Sequence, residues 1–237
     1  MIGLEPSSHP FATARPAEAG RMRHAPSENL PRHRHDEAFA AIVLSGGYVE
    51  AGDTGRHRCE PGDVVLHRAC EHHLDRFDRA GAEVLVLPLP LVWSAPAHGR
   101  VADPDGLARL AERDIAQAVE TLMAEVEAKP ASPADWPDLL AQALRTDPAL
   151  CLSAWAREAG LHLGSVSRGF RQVFGVTPAA YRLAQRAQHA IDALLRTDAP
   201  LSAVALDCGF ADQAHMSRAV LRVANLTPGA LRRARAA

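Results

Sequence analysis

The C-terminal third of the chain contains one pattern twice. The first copy runs Ser153-Ala-Trp-Ala-Arg-Glu-Ala-Gly160 and continues with Ser167-Arg168, Thr177-Pro178 and Arg182. The second copy runs Ser202-Ala-Val-Ala-Leu-Asp-Cys-Gly209 and continues with Ser217-Arg218, Thr227-Pro228 and Arg232. Corresponding residues are 49 positions apart up to the glycine and 50 apart after it. A repeat of this length, in which a glycine turn joins two short helices, predicts a duplicated helix-turn-helix.

Charge is distributed unevenly along the chain, although the net charge is only −2. From Pro148 onward there are 11 basic and 5 acidic residues, whereas the rest of the chain has 15 basic and 23 acidic residues. Because nucleic-acid phosphates attract basic surfaces, this division predicts that the C-terminal part alone binds nucleic acid.

Apolar spacing gives the bounds of the predicted helices. Leu152–Ala159 and Leu163–Phe174 are the two helices of the first copy, and a long helix from Pro178 to about Leu195 follows. The second helix of the second copy is expected at about Asp212–Ala224. Core positions of the helix Leu163–Phe174, at spacings of three and four, are Leu163, Val166, Phe170, Val173 and Phe174.

These motifs resemble those of the AraC/XylS family of bacterial transcription regulators over roughly residues 148–235. The matching residues are the Arg168 and Phe170 pair, Gly175-x-Thr-Pro-x-x-Tyr181, Gly209-Phe210-x-Asp212, His215-x-x-Arg218 and Thr227-Pro228-x-x-x-Arg232. The chain departs from the family with Met216 and Val220 in place of phenylalanine, Asn225 in place of glycine and Leu231 in place of an aromatic residue. The apolar replacements preserve a core, and asparagine also tolerates a left-handed turn.

The resemblance implies that the exposed face of the second helix in each copy, which we call its recognition helix, enters the major groove. By position, the residues over the bases are Gly164, Ser167 and Arg168 in the first copy and Gln213, Ala214, Ser217 and Arg218 in the second. Arginine pairs with guanine and glutamine with adenine, so Arg168, Gln213 and Arg218 should determine most of the specificity. Arg171 and Arg222 are expected to contact phosphates. The alternative for any one arginine is a solvated surface charge.

Residues from about Pro31 to Leu91 contain short apolar runs separated by glycine turns, which is typical of a β-barrel or sandwich. His33-x-His35, the Gly46-Gly47 turn and Pro61-Gly62-Asp63 followed by His73 resemble the two motifs of a cupin barrel. The resemblance implies a cupin-like domain over residues 1–95 that senses an effector or a metal. Glu37 departs from the motif, because only one residue separates it from His35, whereas cupin enzymes usually leave three or four residues between the histidine and the carboxylate.

Six of the twelve histidines lie between His33 and His73. His33, His35 and Glu37 alternate, so a continuous strand would place all three on one face. The cupin resemblance adds His73. Imidazoles with a carboxylate are ligands for zinc or another divalent metal. A pocket for an organic effector and a histidine-rich surface are the alternatives.

The segment between the two parts is expected to start with a single helix from Asp103-Pro104 to about Ala128. Its apolar stripe consists of Leu107, Ala111, Ile115, Ala118, Leu122 and Val126. The stripe can cover the barrel or pair with a second copy of the chain, and the family resemblance favours a homodimer. Residues 103–130 are therefore predicted as linker and dimerisation helix, with Lys129–Asp135 as the clearest linker, and 135–237 as the DNA-binding domain with two helix-turn-helix units.

The predicted fold class is α+β multidomain: a cupin-like β-barrel, a helical linker and an all-α double helix-turn-helix. The predicted function is a transcription regulator, not an enzyme, that binds double-stranded DNA and responds to a small effector or metal ion, with RNA polymerase as a further partner. Met1–Gly20 has no apolar stretch like that of a secretory signal, and the four scattered cysteines suit a reducing compartment, so we expect a cytoplasmic protein at the nucleoid. The alternatives are a cupin metalloenzyme with a DNA-binding tail and a constitutive regulator whose barrel only dimerises.

Overall fold

The computed structural model describes residues 19–130, 135–147 and 149–235. The chain divides into two units, residues 1–132 and residues 133–237. The first contains an antiparallel sheet and two helices, and the second is helical. Most of the predicted linker Lys129–Asp135, the predicted start at Pro148 of the basic part, and the first eighteen residues lie outside the described residues. Within the described ranges, no helix is long and apolar enough to cross a membrane.

The sheet of the first unit has eight antiparallel strands. They are β1 (Gly20–His24), β2 (Asn29–Arg34), β3 (Phe39–Gly52), β4 (Gly55–Cys59), β5 (Asp63–His67), β6 (His72–Pro88), β7 (His98–Arg100) and β8 (Glu127–Ala128). Strand order is β1-β6-β3-β5-β7-β8, with β2 also paired to β6 and β4 also paired to β3.

The two longest strands, β3 and β6, are bent, so each takes part in both halves of the sheet. Their pairing shifts between Val43 and Ser45 and between Gly46 and Tyr48. Gly46 has a φ of 71°, and a Cβ at this position would clash with the carbonyl oxygen of Gly81, so the bend requires glycine. Beyond the bend β3 exchanges β5 for β4, and β6 pairs with β2 in place of β1.

The predicted α+β architecture, with a β-rich first part and a helical second part, is confirmed. The sheet is not closed into a barrel, because the path of paired strands among the described residues stays open from β1 to β8. The predicted Gly46-Gly47 turn is the bend inside β3. The two halves of the sheet nevertheless face each other. The rings of His57 on β4 and His98 on β7 are 4.3 Å apart, and those of His67 on β5 and His73 on β6 are 4.4 Å apart.

Successive residues of β3 face two different cores. One core lies between the halves of the sheet and consists of residues from several strands, including Phe39, Ala41, Val43, Tyr48, Cys59, Val65 and Phe77. The other core lies on the side of the sheet that faces away from this interior, and it includes Ala40, Ile42, Val64, Leu66, Leu85 and Leu87. Two helices, α1 (Pro104–Ala111) and α2 (Ile115–Glu125), cover the second set.

The predicted continuous helix to Ala128 is two helices, and of the two roles expected for its apolar stripe, the structure shows packing on the sheet. Asp114 breaks the helix: its backbone is extended, and its side chain accepts a hydrogen bond from the backbone N–H of Gln117 at 3.0 Å, which starts α2. Leu107, Ala111 and Leu122 of the predicted stripe are buried against the sheet of the same chain. They are not available to a second copy, and the homodimer stays a prediction without this support.

The second unit consists of seven helices in its described residues. They are α3 (Trp136–Thr146), α4 (Leu152–Glu158), α5 (Leu163–Phe174), α6 (Pro178–Arg196), α7 (Leu201–Asp207), α8 (Gln213–Ala224) and α9 (Pro228–Arg235). Pairs α4–α5 and α7–α8 correspond to the two sequence copies, and α6 joins them. Phe170, Phe174 and Tyr181 form an aromatic core against which α6 begins.

Candidate DNA interface and histidine site

The two copies build the same turn from the same hydrogen bonds. After α4, Gly160 is left-handed with a φ of 68°, and the next N–H, of Leu161, donates to the carbonyl of Ala156 at 2.8 Å. After α7, Gly209 has a φ of 74°, and the N–H of Phe210 donates to the carbonyl of Ala205 at 2.9 Å. This is the glycine helix ending that reverses the chain before each recognition helix.

The recognition helices α5 and α8 have matching ends. Gly175 after α5 and Asn225 after α8 are both left-handed, with φ values of 74° and 56°. Thr177 and Thr227 then cap the following helices, and each hydroxyl accepts an N–H three residues on at 3.2 Å. Asn225 therefore supplies the conformation that glycine supplies in the first copy.

The structure leaves the predicted DNA-contacting residues accessible on one helix in each copy. Six are exposed: Arg168, Arg171, Gln213, Ala214, Arg218 and Arg222. Gly164, Ser167 and Ser217 are half-buried. The opposite face of each helix is buried, through Val166, Phe170 and Phe174 in α5 and Met216, Val220 and Val223 in α8. One core position was predicted wrongly: Leu163 is 43% exposed, because it lies in the first turn of α5, beyond the reach of the core.

A pair of equivalent arginines was quoted in the sequence repeat, but its role was missed. Arg182 on α6 donates from Nη2 to the carbonyl oxygen of Leu150, just before α4, at 2.7 Å. Arg232 on α9 makes the matching bond to the carbonyl of Ala199, just before α7. Each arginine thus fixes the start of one helix-turn-helix against the helix that follows it. Their recurrence at the same repeat position was the available signal.

In the first unit, three histidines predicted as metal ligands lie together. The Nε2 atoms of His33 and His35 are 3.2 Å apart, and the rings of His33 and His73 have centroids 4.4 Å apart. One nitrogen from each of the three lies within 4.8 Å of the others. His33 Nδ1 is 2.8 Å from the carbonyl oxygen of Pro31, which makes Nδ1 the donor and leaves the Nε2 lone pair toward His35.

The structure does not bring Glu37 to these histidines, so its prediction as a fourth ligand is wrong. Strand β2 ends at Arg34, and the predicted alternation of side chains stops there. Glu37 is exposed and is absent from the group of neighbouring ligand atoms found among the described residues. Sequence alternation could not show where the strand ended.

The interior beside the histidines is unusually rich in ionisable groups. His67 lies between two carboxylates, with Nε2 3.4 Å from Glu50 and Nδ1 3.6 Å from Glu71. Burial alone would lower the pKa of His67, but these carboxylates outweigh it and raise the pKa to about 10. Burial lowers the pKa of His33, and burial with the neighbouring His67 charge lowers that of His73 well below its usual value. Neutral imidazoles thus adjoin a buried cation that two carboxylates balance.

A second buried ion pair lies near this region. Arg32 contacts Asp53, and the Asp53 carboxylate also accepts the backbone N–H of His72 at 3.0 Å. Burial would raise the pKa of Asp53, but the charge of Arg32 and the bonds from His72 lower it to about 2. These contacts connect β2, the β3–β4 turn and the start of β6, and so hold the strands that carry His33 and His73.

Comparison with known proteins adds a family match in the second unit. Residues 155–234 match the sequence family described as a helix-turn-helix domain. A search of curated protein sequences found no match.

The solved structures that are similar to this chain include the following three. An AraC-type regulator from Chromobacterium violaceum has 26% identity over 41% of this chain and 88% of its own, with a TM-score of 0.38. The DNA-binding domain of AdpA in complex with a target DNA has 25% identity over 43% and 93%, with a TM-score of 0.39. ToxT from Vibrio cholerae with a bound unsaturated fatty acid has 11% identity over 91% and 95%, with a TM-score of 0.41.

Because these TM-scores are below 0.5, the identification rests on the family match and on the helix geometry. The matched range contains both glycine turns, both recognition helices and the two arginines that fix them. Together they identify residues 155–234 as a helix-turn-helix domain.

Proposed function

We propose that the second unit binds double-stranded DNA in a sequence-specific manner through α5 and α8. We also propose that the first unit binds a divalent metal ion, with zinc as the first candidate, through His33, His35 and His73. We further propose that the chain is a transcription regulator of the AraC type and that metal binding is the signal to which it responds. The observation that carries the DNA-binding proposal is the pair of recognition helices, which have matching ends and expose equivalent arginines, Arg168 and Arg218.

Support for specific DNA binding comes from the chemistry of the exposed faces. The guanidinium groups of Arg168 and Arg218 are suited to the O6 and N7 atoms of guanine, and the Gln213 amide to adenine. Arg171 lies three residues beyond Arg168 and is suited to a phosphate. Helix α6 has 19 residues and a length of about 28 Å, so it can hold two recognition helices near the spacing of one DNA turn, roughly 34 Å.

Support for a metal comes from the donor atoms. Zinc binds imidazole nitrogen at about 2.0–2.1 Å, so two ligands on a tetrahedral ion are about 3.3 Å apart. The Nε2 atoms of His33 and His35 are 3.2 Å apart, close to that spacing. Buried Nδ1 of His73 has no hydrogen-bond partner among the described residues, which is costly unless a ligand or water satisfies it. These three residues would hold the ion, and its remaining position would be open to water or to a small ligand.

DNA binding is tested with the full chain on duplexes selected by the wild type from a random-sequence pool. Arg171→Ala should weaken binding to selected and random duplexes alike and reduce the salt dependence by roughly one phosphate contact. Arg168→Ala should instead lose about 1–3 kcal/mol on the selected duplex alone. If both variants caused the same uniform loss, the assignment of Arg168 to a base would be wrong.

Metal binding is tested by elemental analysis of untagged protein after dialysis against zinc. We expect close to one zinc per chain, and loss of that zinc in His35→Gln. His189→Gln is the matched control, because His189 is an exposed histidine on α6. Zinc bound equally by both variants, or almost none bound by the wild type, would contradict the metal proposal. In the latter case a thermal-shift response of the wild type to small organic compounds would assign the histidines to an effector pocket.

A further inference from the structure

His162 is the exposed residue that immediately precedes the first recognition helix, and its imidazole caps that helix. Nδ1 accepts a hydrogen bond from the backbone N–H of Gly164 at 3.2 Å. A nitrogen that accepts must carry a lone pair, so the proton of the neutral ring is on Nε2. The residue therefore has one nitrogen committed to the helix and an N–H donor at its other end.

This donor belongs to the same surface as Arg168. A Cβ added to Gly164 would lie 3.4 Å from His162 Nδ1 and 3.6 Å from a terminal nitrogen of Arg168. Imidazole and guanidinium thus flank the gap that the missing side chain of Gly164 leaves. Both residues are exposed, and both offer N–H donors where the helix begins.

We propose that His162 is a further DNA-contacting residue, which donates its Nε2–H to a phosphate oxygen at the edge of the groove entered by α5. The inference rests on the proposed DNA binding by α5. A recognition helix that inserts its N-terminal residues into the major groove brings its cap residue beside the sugar–phosphate backbone. Hydrogen bonds from side chains at such positions to phosphate fix the register of the helix on the duplex.

The second copy provides a natural contrast at the same position. Asp212 caps α8, with Oδ1 2.6 Å from the backbone N–H of His215, and it is exposed. A carboxylate accepts hydrogen bonds but donates none, and it repels phosphate. The two recognition helices therefore begin with opposite chemistry: a donor in the first and an anion in the second.

Serine at each position separates capping from DNA contact, because its hydroxyl is also a good helix cap. The probes are a 40-bp duplex of random sequence and the duplex that the wild-type full chain selects from a random pool. His162→Ser should retain the thermal stability of the wild type and bind both probes roughly three- to tenfold more weakly. Its salt dependence should equal that of the wild type, since a neutral donor releases no counterion. Asp212→Ser should bind both probes more tightly, because it removes a negative charge near the DNA.

Unchanged affinity of His162→Ser would show that His162 is only a cap and would overturn the inference. A loss of affinity that depended on the identity of one base pair in the selected duplex would also overturn the inference, because it would assign His162 to a base and not to a phosphate. Should His162→Ser be less stable than the wild type, His162→Thr provides a second cap with an equally short side chain. Equal losses of DNA affinity for both variants, at a temperature where both are folded, support the contact. Failure of the wild type to bind either duplex would count against the proposed DNA binding itself, not against His162.

Discussion

Leu122→Ala tests whether the apolar face of α2 packs on the sheet of its own chain. The Leu122 side chain is 0% exposed and belongs to the core between α2 and the sheet. Removing a leucine from such a close-packed site costs about 2–5 kcal/mol, from lost burial and from the cavity that remains. Ile115 is on the same predicted stripe but is 40% exposed, so Ile115→Ala should cost only about 1 kcal/mol.

The assay is urea unfolding of the full chain, monitored by hydrogen exchange in peptides from β3 so that the signal reports on the first unit. We expect the free energy of unfolding to fall much more for Leu122→Ala than for Ile115→Ala, and the loss to be the same at 1 μM and 50 μM protein. Equal losses for both variants would refute the packing argument. A loss for Leu122→Ala that changed with protein concentration would indicate a dimer seam instead.

Three further changes test other parts of the structure. Arg32 and His72 hold the pKa of Asp53 at about 2, so the stability that its charge contributes is complete above a pH of about 4 and is lost as the pH falls toward 2. Acid unfolding of Asp53→Asn should lack this loss of stability, and an acid-unfolding curve identical to that of the wild type would contradict the prediction. Gly46→Ala should destabilise the first unit in hydrogen exchange, because the added Cβ clashes with the opposite strand, and wild-type protection would show that the bend tolerates a side chain. Arg182→Ala should lower the free energy of unfolding of the second unit by about 1–3 kcal/mol, because the carbonyl before α4 loses a charged donor, and an unchanged urea midpoint would refute this role.

The second unit could be predicted closely from the sequence because its structure depends on local interactions. The bounds of α5 agree with those expected from apolar spacing, and Thr177 and Pro178 start α6 as the capping preferences predict. The repeat added a second, independent copy of each signal. Leu163 was the exception, because periodicity cannot show that a core ends before the first turn of a helix.

The first unit was predicted less well because its structure depends on pairing between distant residues. Short apolar runs and glycine turns indicated the strands but not the bend at Gly46, so β3 was taken for two strands and the sheet for a barrel. His73 joins His33 because the two residues face each other across β2 and β6. Glu37 was included by extending β2 three residues too far.

The prediction of one long helix between the two parts was wrong for a different reason. Its stripe of apolar residues was read correctly for Leu107 and Leu122, which are buried. The capping preference of Asp114 was overlooked, although an aspartate inside a predicted helix is a common start of a new one. Spacing also could not distinguish a sheet from a second chain as the partner of the stripe.

Selection of DNA sequences by the full chain tests the central claim most directly. The wild type should select a motif with two parts whose centres are about ten base pairs apart, one for each recognition helix. Arg168→Ala should lose preference in one part only, and Arg218→Ala in the other part only. A single undivided motif, or the same positions relaxed by both variants, would contradict the account in which α5 and α8 each recognise their own half of the site.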